Sequence, residues 1–294
     1  MSDPQRTTDG RVSREQLQER VLADYPRLGP DDRFRFGCHP GVSCFNCCCR
    51  DVNIFLSPYD VLRLKRRLGI TSGEFLDRYT LTPVQKDMRT PVVVLRMQHN
   101  EAKTCTLLGD AGCNVYPDRP WPCRMYPLGL AAQKDTRDGW RGERFYFLLK
   151  EDECRGFEEP RQWTVREWLD DQGMDAYDEW GEAFKELTLH RFFEDGGTLS
   201  PQKLHMFFTA CYDLDRFREF VFGSTLLQRF DVDDDFVHEM RTDDEALLRF
   251  AFLWIRFSLF GEPTVKARPE VLDAFRGSLD KRTLFGQAAA EHTP

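Results

Sequence analysis

Cys38-His-Pro-Gly-Val-Ser-Cys44-Phe-Asn-Cys47-Cys48-Cys49 puts five thiols into twelve residues. A single cysteine packs as a small buried hydrophobe, but three consecutive ones have no way of all pointing into one core. Neighbouring cysteines also rarely have the geometry to pair with each other. A shared need for thiolate ligands accounts for the cluster, because soft sulfur donors select zinc, Cu(I) or iron–sulfur centres. The first half of the chain is therefore expected to be built around a metal centre.

Composition frames that reading. The chain has 294 residues, room for one large domain or two ordinary ones. A core of that size does not depend on cysteine staples. The formal net charge of −8 argues against general nucleic-acid affinity, although a local basic patch stays open. With 31% charged and 13% aromatic residues the chain reads as globular. Met1 to Gly10 lacks the apolar stretch of a secretory signal. The greasiest run, Ala246 to Gly261, is broken by Arg249 and Arg256 and is too short to span a bilayer. A cytoplasmic protein is expected, in which thiols stay reduced and a disulfide framework is disfavoured. Nine of the ten cysteines precede residue 155, which divides the chain functionally.

The expected fold class is α+β: a small, loop-rich cysteine-cluster domain with short strands and helices, then an all-helical C-terminal region. Residues 1–30 read as a polar lead-in with one helix over Ser13 to Tyr25, residues 31–160 as the metal domain, and residues 161–294 as the helical one. Val52 to Leu56 reads as a strand. A helix follows, with Ser57 as cap, Pro58 in its first turn, Asp60 as capping-box acid and Gly69 at its end. A second short helix starts at Ser72. Pro91 to Met97 is a β-branched strand, and a turn at His99 and Asn100 leads into Thr104 to Leu108, a hairpin presenting Cys105. The stretch from Cys113 through Pro127 holds four prolines, which predict an ordered loop without a helix. Leu128 to Gln133 and Arg144 to Leu149 add two strands.

Beyond Trp163 the pattern turns helical. Thr164 and Glu167 resemble a capping box for a helix ending near Gly173. Leu204, Phe207, Phe208, Cys211 and Leu214 recur at helical spacing, and Thr242 with Glu245 opens a long helix to Gly261. Such phenylalanine-rich faces suit plain core packing, with a substrate pocket between the helices as the sharper reading. Cys211, on one of these faces, reads as core.

Cys105, Cys113 and Cys123 form a second cysteine set, spaced by turns and prolines that fix thiols without long elements. Cys154 follows. Arg50, Arg119, Arg124 and Arg155 each lie within four residues of a cysteine. They would offset the negative charge of four thiolates around a dication, or serve as ordinary surface arginines. The candidate metal ligands are thus Cys38, Cys44, Cys47, Cys48, Cys49, Cys105, Cys113, Cys123 and Cys154. His39 and His99 are the candidate substitutes, although a lone loop histidine more often faces solvent.

The series Phe36-Gly-Cys38, Cys44-Phe-Asn-Cys47-Cys48-Cys49, Leu56-Ser-Pro-Tyr-Asp60, Cys105-Thr-Leu-Leu and Cys113-Asn-Val-Tyr-Pro-Asp-Arg119-Pro120-Trp-Pro-Cys123-Arg124-Met-Tyr126-Pro127 resembles the YkgJ-type cysteine-cluster family, regarded as zinc- or iron-chelating. The likeness runs over residues 34–155, under half the chain. It implies Cys44, Cys48, Cys105, Cys113 and Cys123 first as ligands, with Cys38, Cys47, Cys49 and Cys154 next. The chain departs from the pattern at the start, where Cys38 and Cys44 stand six positions apart and the usual cysteine pair is a triplet. Either Cys47-Cys48 or Cys48-Cys49 fills the pair.

Zinc sites and cubane clusters both take four protein ligands, so nine thiols suit one site with spares or two with one over. Zinc and iron, the latter including an iron–sulfur cluster, are both expected cofactors. Familiar enzyme patterns fail. Cys44 and Cys48 have the first gap of a C-x-x-x-C-x-x-C cluster motif, but Asp51 stands at the third thiol. His238-Glu239 lacks the second zincin histidine. Asp231 to Asp235 begins like a calcium loop, but Phe236 replaces its glycine and Thr242 its final glutamate, so a helix start fits better. The expectation is a cytoplasmic thiolate metal protein. The alternative is an iron–sulfur oxidoreductase or a protein-modifying enzyme, since flagellin lysine N-methylases look similar in carrying a related cysteine cluster ahead of a helical region. Metal storage or delivery, with weak exchangeable binding, is the third reading. A protein partner stays open.

Overall fold

The computed structural model describes residues 25–83, 88–132 and 144–269. The expected helix over Ser13 to Tyr25 lies outside them save for Tyr25. The chain divides into two compact units, one of Met1–Arg50 with Pro122–Asp175, the other of Asp51–Trp121 with Ala176–Pro294. The class is α+β, with short antiparallel strands in small sheets and a helical C-terminal region.

In the first unit, strand Arg33–Arg35 pairs antiparallel with Gln162–Thr164, Phe34 opposite Trp163. Alternation along Arg33–Arg35 buries Phe34 and leaves both arginines in solvent. Leu128–Ala132 pairs with Arg144–Leu148, the two expected strands, and Leu28 bridges to Tyr146. The capping box forms as read: Thr164 Oγ1 accepts the Glu167 N–H, and Glu167 accepts the Thr164 N–H, opening helix Val165–Asp171. Phe34, Phe36, Trp163 and Trp168 are buried together, with edge-on rings 5.2–6.1 Å apart. The indole N–H groups stay satisfied: Trp163 donates to the Phe36 carbonyl and Trp168 to that of Met125.

In the second unit, Val93–Leu95 is the centre of a three-stranded sheet between Phe55–Leu56 and Thr80–Leu81. Only the last two residues of the expected Val52 to Leu56 strand join the ladder. Helix Pro58–Leu68 has both halves of its capping box, with Pro58 in the first turn. It ends at Gly69, whose φ of +66° is costly for any side chain. Ser72–Tyr79 follows, capped by the Thr71 hydroxyl. One continuous core runs from Leu62 and Phe75 to Phe207, Phe217 and Phe250, all at most 1% exposed.

Three expectations need correction. Trp121–Met125 is a short helix inside the proline-rich stretch. Pro122 sits in its first turn, where a missing N–H costs nothing, and Asp60 Oδ1 accepts the Trp121 N–H at 2.8 Å. The long helix spans Asp244–Phe260 and is capped by Asp243, which accepts the Glu245 N–H, instead of by Thr242. The run from Leu204 to Leu214 is two helices, Pro201–Cys211 and Leu214–Gly223, parted at Tyr212 and Asp213. Asp233 caps helix Asp234–Met240, as the failed calcium loop implied. Phe230–Asp231 pairs with Lys266–Ala267 as a two-residue ladder within the helical region.

Candidate metal centre

The nine candidate thiols fall in both units. Cys38, Cys44, Cys47, Cys48, Cys49, Cys123 and Cys154 lie in the first, Cys105 and Cys113 in the second.

The first cluster is held by nested turns. Val42 N–H donates to the His39 carbonyl, Phe45 to Val42, Cys47 to Cys44 and Cys49 to Asn46, each within 3.1 Å. Asn46 takes the left-handed conformation (φ 68°), which asparagine tolerates, and starts the 3-10 turn Cys47–Cys49. Three residues per turn set consecutive side chains about 120° apart, so the triplet cannot aim every thiol at one point. Cys48 and Cys49 are hydrogen-bonded to each other, and that bond, against the opposing effect of burial, lowers the Cys48 pKa to about 7. A substantial thiolate fraction at neutral pH is the form that binds metal.

Cys44 and Cys154 are tied in from remote sequence. Cys44 Sγ accepts the Arg155 N–H at 3.1 Å. Cys154 is hydrogen-bonded to the Tyr126 phenol, and Cys48 and Glu151 add to the negative potential there. Burial first, then these neighbours, push the Tyr126 pKa far up, so the phenol keeps its proton. Nearby, Gly156 lets its loop pack on Phe36 and Gly37, because a Cβ there would stand 2.6 Å from a Phe36 ring carbon and 2.8 Å from the Gly37 carbonyl oxygen. In place of that Cβ, the Gly37 N–H bonds the Gly156 carbonyl at 2.9 Å.

The arginines do varied work. The Arg155 guanidinium pairs with Glu158, so its backbone serves the sulfur. Arg124 is buried and donates to the Gln172 carbonyl. Arg119, in the second unit, stacks on Tyr116 at 3.9 Å. His39 has both ring nitrogens engaged: Nδ1 accepts the Gly41 N–H at 3.1 Å and Nε2 meets Glu159 at 3.2 Å. His99 is exposed.

In the second unit Cys105 bridges Met97 across the expected hairpin, and Cys113 pairs with Leu108 in a two-residue ladder. Cys105 Sγ accepts the Leu107 N–H at 3.4 Å. Cys211 is fully buried among apolar side chains, as read from its helical face, and burial pushes its thiol pKa well up.

The donor chemistry fits zinc or iron: thiols, one poised to ionise, with amide and phenol donors on the sulfurs. Cys44, Cys47, Cys48 and Cys154 are not in disulfides. Among the described residues, no three His, Cys, Asp or Glu side chains stand grouped as a metal ion would hold them. Sequence reading quoted Tyr126 without a role and did not single out Gly156. Their partners lie 28 and 120 positions away, beyond any local pattern.

No helix among the described residues is long and apolar enough to cross a membrane. No curated protein and no solved structure matches the chain. Residues 38–163 match the family model CxxCxxCC, described as a "Putative zinc- or iron-chelating domain". Over that stretch, under half of its length, the chain is similar to the CxxCxxCC domain.

Proposed function

We propose that the protein binds zinc or iron through cysteine thiolates of its first unit, with Cys44, Cys48 and Cys154 at the heart of the ligand set. The supporting observation is the dipeptide Cys154-Arg155. Cys154 shares the Tyr126 phenol with the field of Cys48, while the Arg155 N–H caps Cys44 Sγ. The Cys154-Arg155 dipeptide, more than a hundred positions on, thus ties back to the first cysteine cluster. In this reading Cys48-Cys49 is the cysteine pair, and Cys38, Cys47, Cys49 and Cys123 supply the remaining first-unit donors. Cys105 and Cys113 act as a separate pair. Zinc would supply a redox-silent structural clamp, and an iron–sulfur cluster an electron carrier. The chain's own part is to hold the sulfurs as thiolates, donate N–H and O–H bonds to them, and keep them from pairing. Thiolates of this kind persist in a reducing compartment, so the cytoplasm is the proposed location.

The test is anaerobic purification without added metal, followed by absorption spectroscopy and assays of zinc, iron and acid-labile sulfide per chain. Bound zinc without colour, or iron and sulfide with broad visible absorption, supports the reading and names the metal. Cys44→Ser and Cys48→Ser should lose that metal, while Cys211→Ala keeps it. A folded chain that neither carries nor takes up zinc or iron refutes the proposal.

A further inference from the structure

Single apolar side chains on a surface are ordinary and call for no explanation. A row of them in register is different. In the three-stranded sheet of the second unit, Val94 stands directly opposite Phe55 on one side and Leu81 on the other. Directly opposed residues share a face. The other face of the same strands carries Leu56, Val93, Thr80 and Leu95, all buried. Phe55, Val94 and Leu81 therefore point outward, and Phe55 is 59% exposed and Leu81 50%. A sheet with one wet face alternates apolar with polar along each strand, whereas continuous apolar runs mark strands covered on both faces. Ile54-Phe55-Leu56 and Val92-Val93-Val94-Leu95 are continuous. These strands suit a sheet covered on both faces, and one face lies open.

We propose that this face is an interface between two copies of the chain, related by a two-fold axis parallel to strand Val93–Leu95. The axis sets Val94 against its own counterpart and Phe55 against Leu81 of the other copy. The row suits that symmetry. Phe55 and Leu81 flank the middle residue on outer strands that both run antiparallel to it, so the rotation exchanges the larger side chain for the smaller at each end. Side chains of two sheets packed this way interdigitate at a spacing of about 10 Å. Charge selects no other occupant. The row holds no ionised group; Arg96, two positions past Val94, spends its guanidinium on the Asp77 and Thr80 carbonyls, and Lys103 pairs with Asp51. A second copy meets the face apolar for apolar. Phe55 alone exposes on the order of 100 Å². A stable interface buries about 1,600 Å² in total, so a face of this size supports a transient dimer populated at high concentration.

The experiment is sedimentation equilibrium of the full chain, with a thiol reductant present, over about a hundredfold range of concentration up to about 1 mM. Wild type should pass from monomer to dimer, half associated at a concentration on the order of 100 μM. Phe55→Lys and Leu81→Glu each set a charge against an apolar side chain, so each should weaken association by more than about tenfold. Melting temperatures should stay unchanged, because both positions lie in solvent in the single chain. Mixing the two variants is the decisive arm. Across the axis the introduced lysine of one chain meets the introduced glutamate of the other, and the remaining Leu81 meets the remaining Phe55. The mixture should therefore form heterodimers although neither variant pairs with itself. A wild-type chain that stays monomeric throughout, single variants that associate as wild type does, or a mixture that stays monomeric overturns the proposal.

Discussion

Lys65 offers the sharpest test of the second unit. Its side chain is 7% exposed, and its Nζ lies 3.0 Å from Asp215 and 3.1 Å from Asp244. Asp215 also accepts the Ser72 N–H, and Asp244 also takes Arg218 and Arg66. Lys65→Met keeps the packing of the stem and removes the charge between two carboxylates. At 3 Å and an effective dielectric near 20, each attraction is about 5 kcal/mol before desolvation. Breaking such a buried pair from one side typically costs about 3–5 kcal/mol net. Asp215 is a third exposed, so solvent screening favours the lower figure.

The pH dependence carries a sign. Burial raises both carboxyl pKa values, but the bonds from Ser72 and Lys65 at Asp215, and from Arg218 and Lys65 at Asp244, outweigh it and lower them. A lowered folded-state pKa contributes stability above the unfolded carboxyl value of about 4 and loses it as pH falls through the folded value. Without Lys65 both folded values rise, so that contribution shrinks. Urea unfolding followed by circular dichroism should show a gap of about 3 kcal/mol at pH 7. The gap should narrow as the pH falls below 4. A gap under about 1 kcal/mol at pH 7, or one constant down to pH 3, refutes the reasoning.

Gly156→Ala must displace either Phe36 or the Gly37 carbonyl, so it should destabilise the first unit by about 1–3 kcal/mol and weaken metal uptake; unchanged melting and uptake would refute the close approach. In metal-free protein Cys48 should alkylate with a midpoint near pH 7, read by mass spectrometry, well before buried Cys211. A midpoint at an ordinary thiol value near 8.5 would deny the Cys49 bond. Asp60→Ala strands the Ser57 and Trp121 N–H groups at a side chain 1% exposed, so thermal or urea unfolding should show a loss of about 2–5 kcal/mol. A loss under about 1 kcal/mol would deny that these bonds hold the two segments.

What was legible in the sequence was local. The capping boxes at Ser57–Asp60 and Thr164–Glu167 span three residues each, so pattern and chemistry coincide, and both formed. The strands Leu128–Ala132 and Arg144–Leu148 were visible from their apolar residues, although their pairing with each other was not read. Prolines misled at Trp121–Met125, because their position within the first turn decides whether they break a helix. Thr242 misled because two adjacent residues were both competent caps and Asp243 took the bond. Nothing local signals that Met1–Arg50 and Pro122–Asp175 group together, since that follows from pairings such as Phe34 with Trp163. The cysteines announced their chemistry by number and spacing. No local window captures the long-range ties around them, such as the Arg155 N–H on Cys44 Sγ.

The segmented build of the first unit bears on what a metal would do there. Cys44 and Cys48 lie on one segment, Cys123 and Cys154 on the other, and residues 51–121 between them belong to the second unit. A centre joining Cys48 to Cys154 would therefore close a loop of roughly a hundred residues. By the chain-entropy model used for disulfides, a covalent link of that length withholds about 4–5 kcal/mol of freedom from the unfolded chain. Metal–thiolate bonds that survive unfolding would act the same way, and those that form only in the folded state add their full binding free energy to folding. The two cases separate experimentally. In the first, stripping the metal lowers stability by an amount insensitive to free metal concentration. In the second, stability climbs with the logarithm of free metal. The proposed centre belongs to the second case, because the Arg155 N–H that caps Cys44 Sγ is a folded-state contact the unfolded chain lacks.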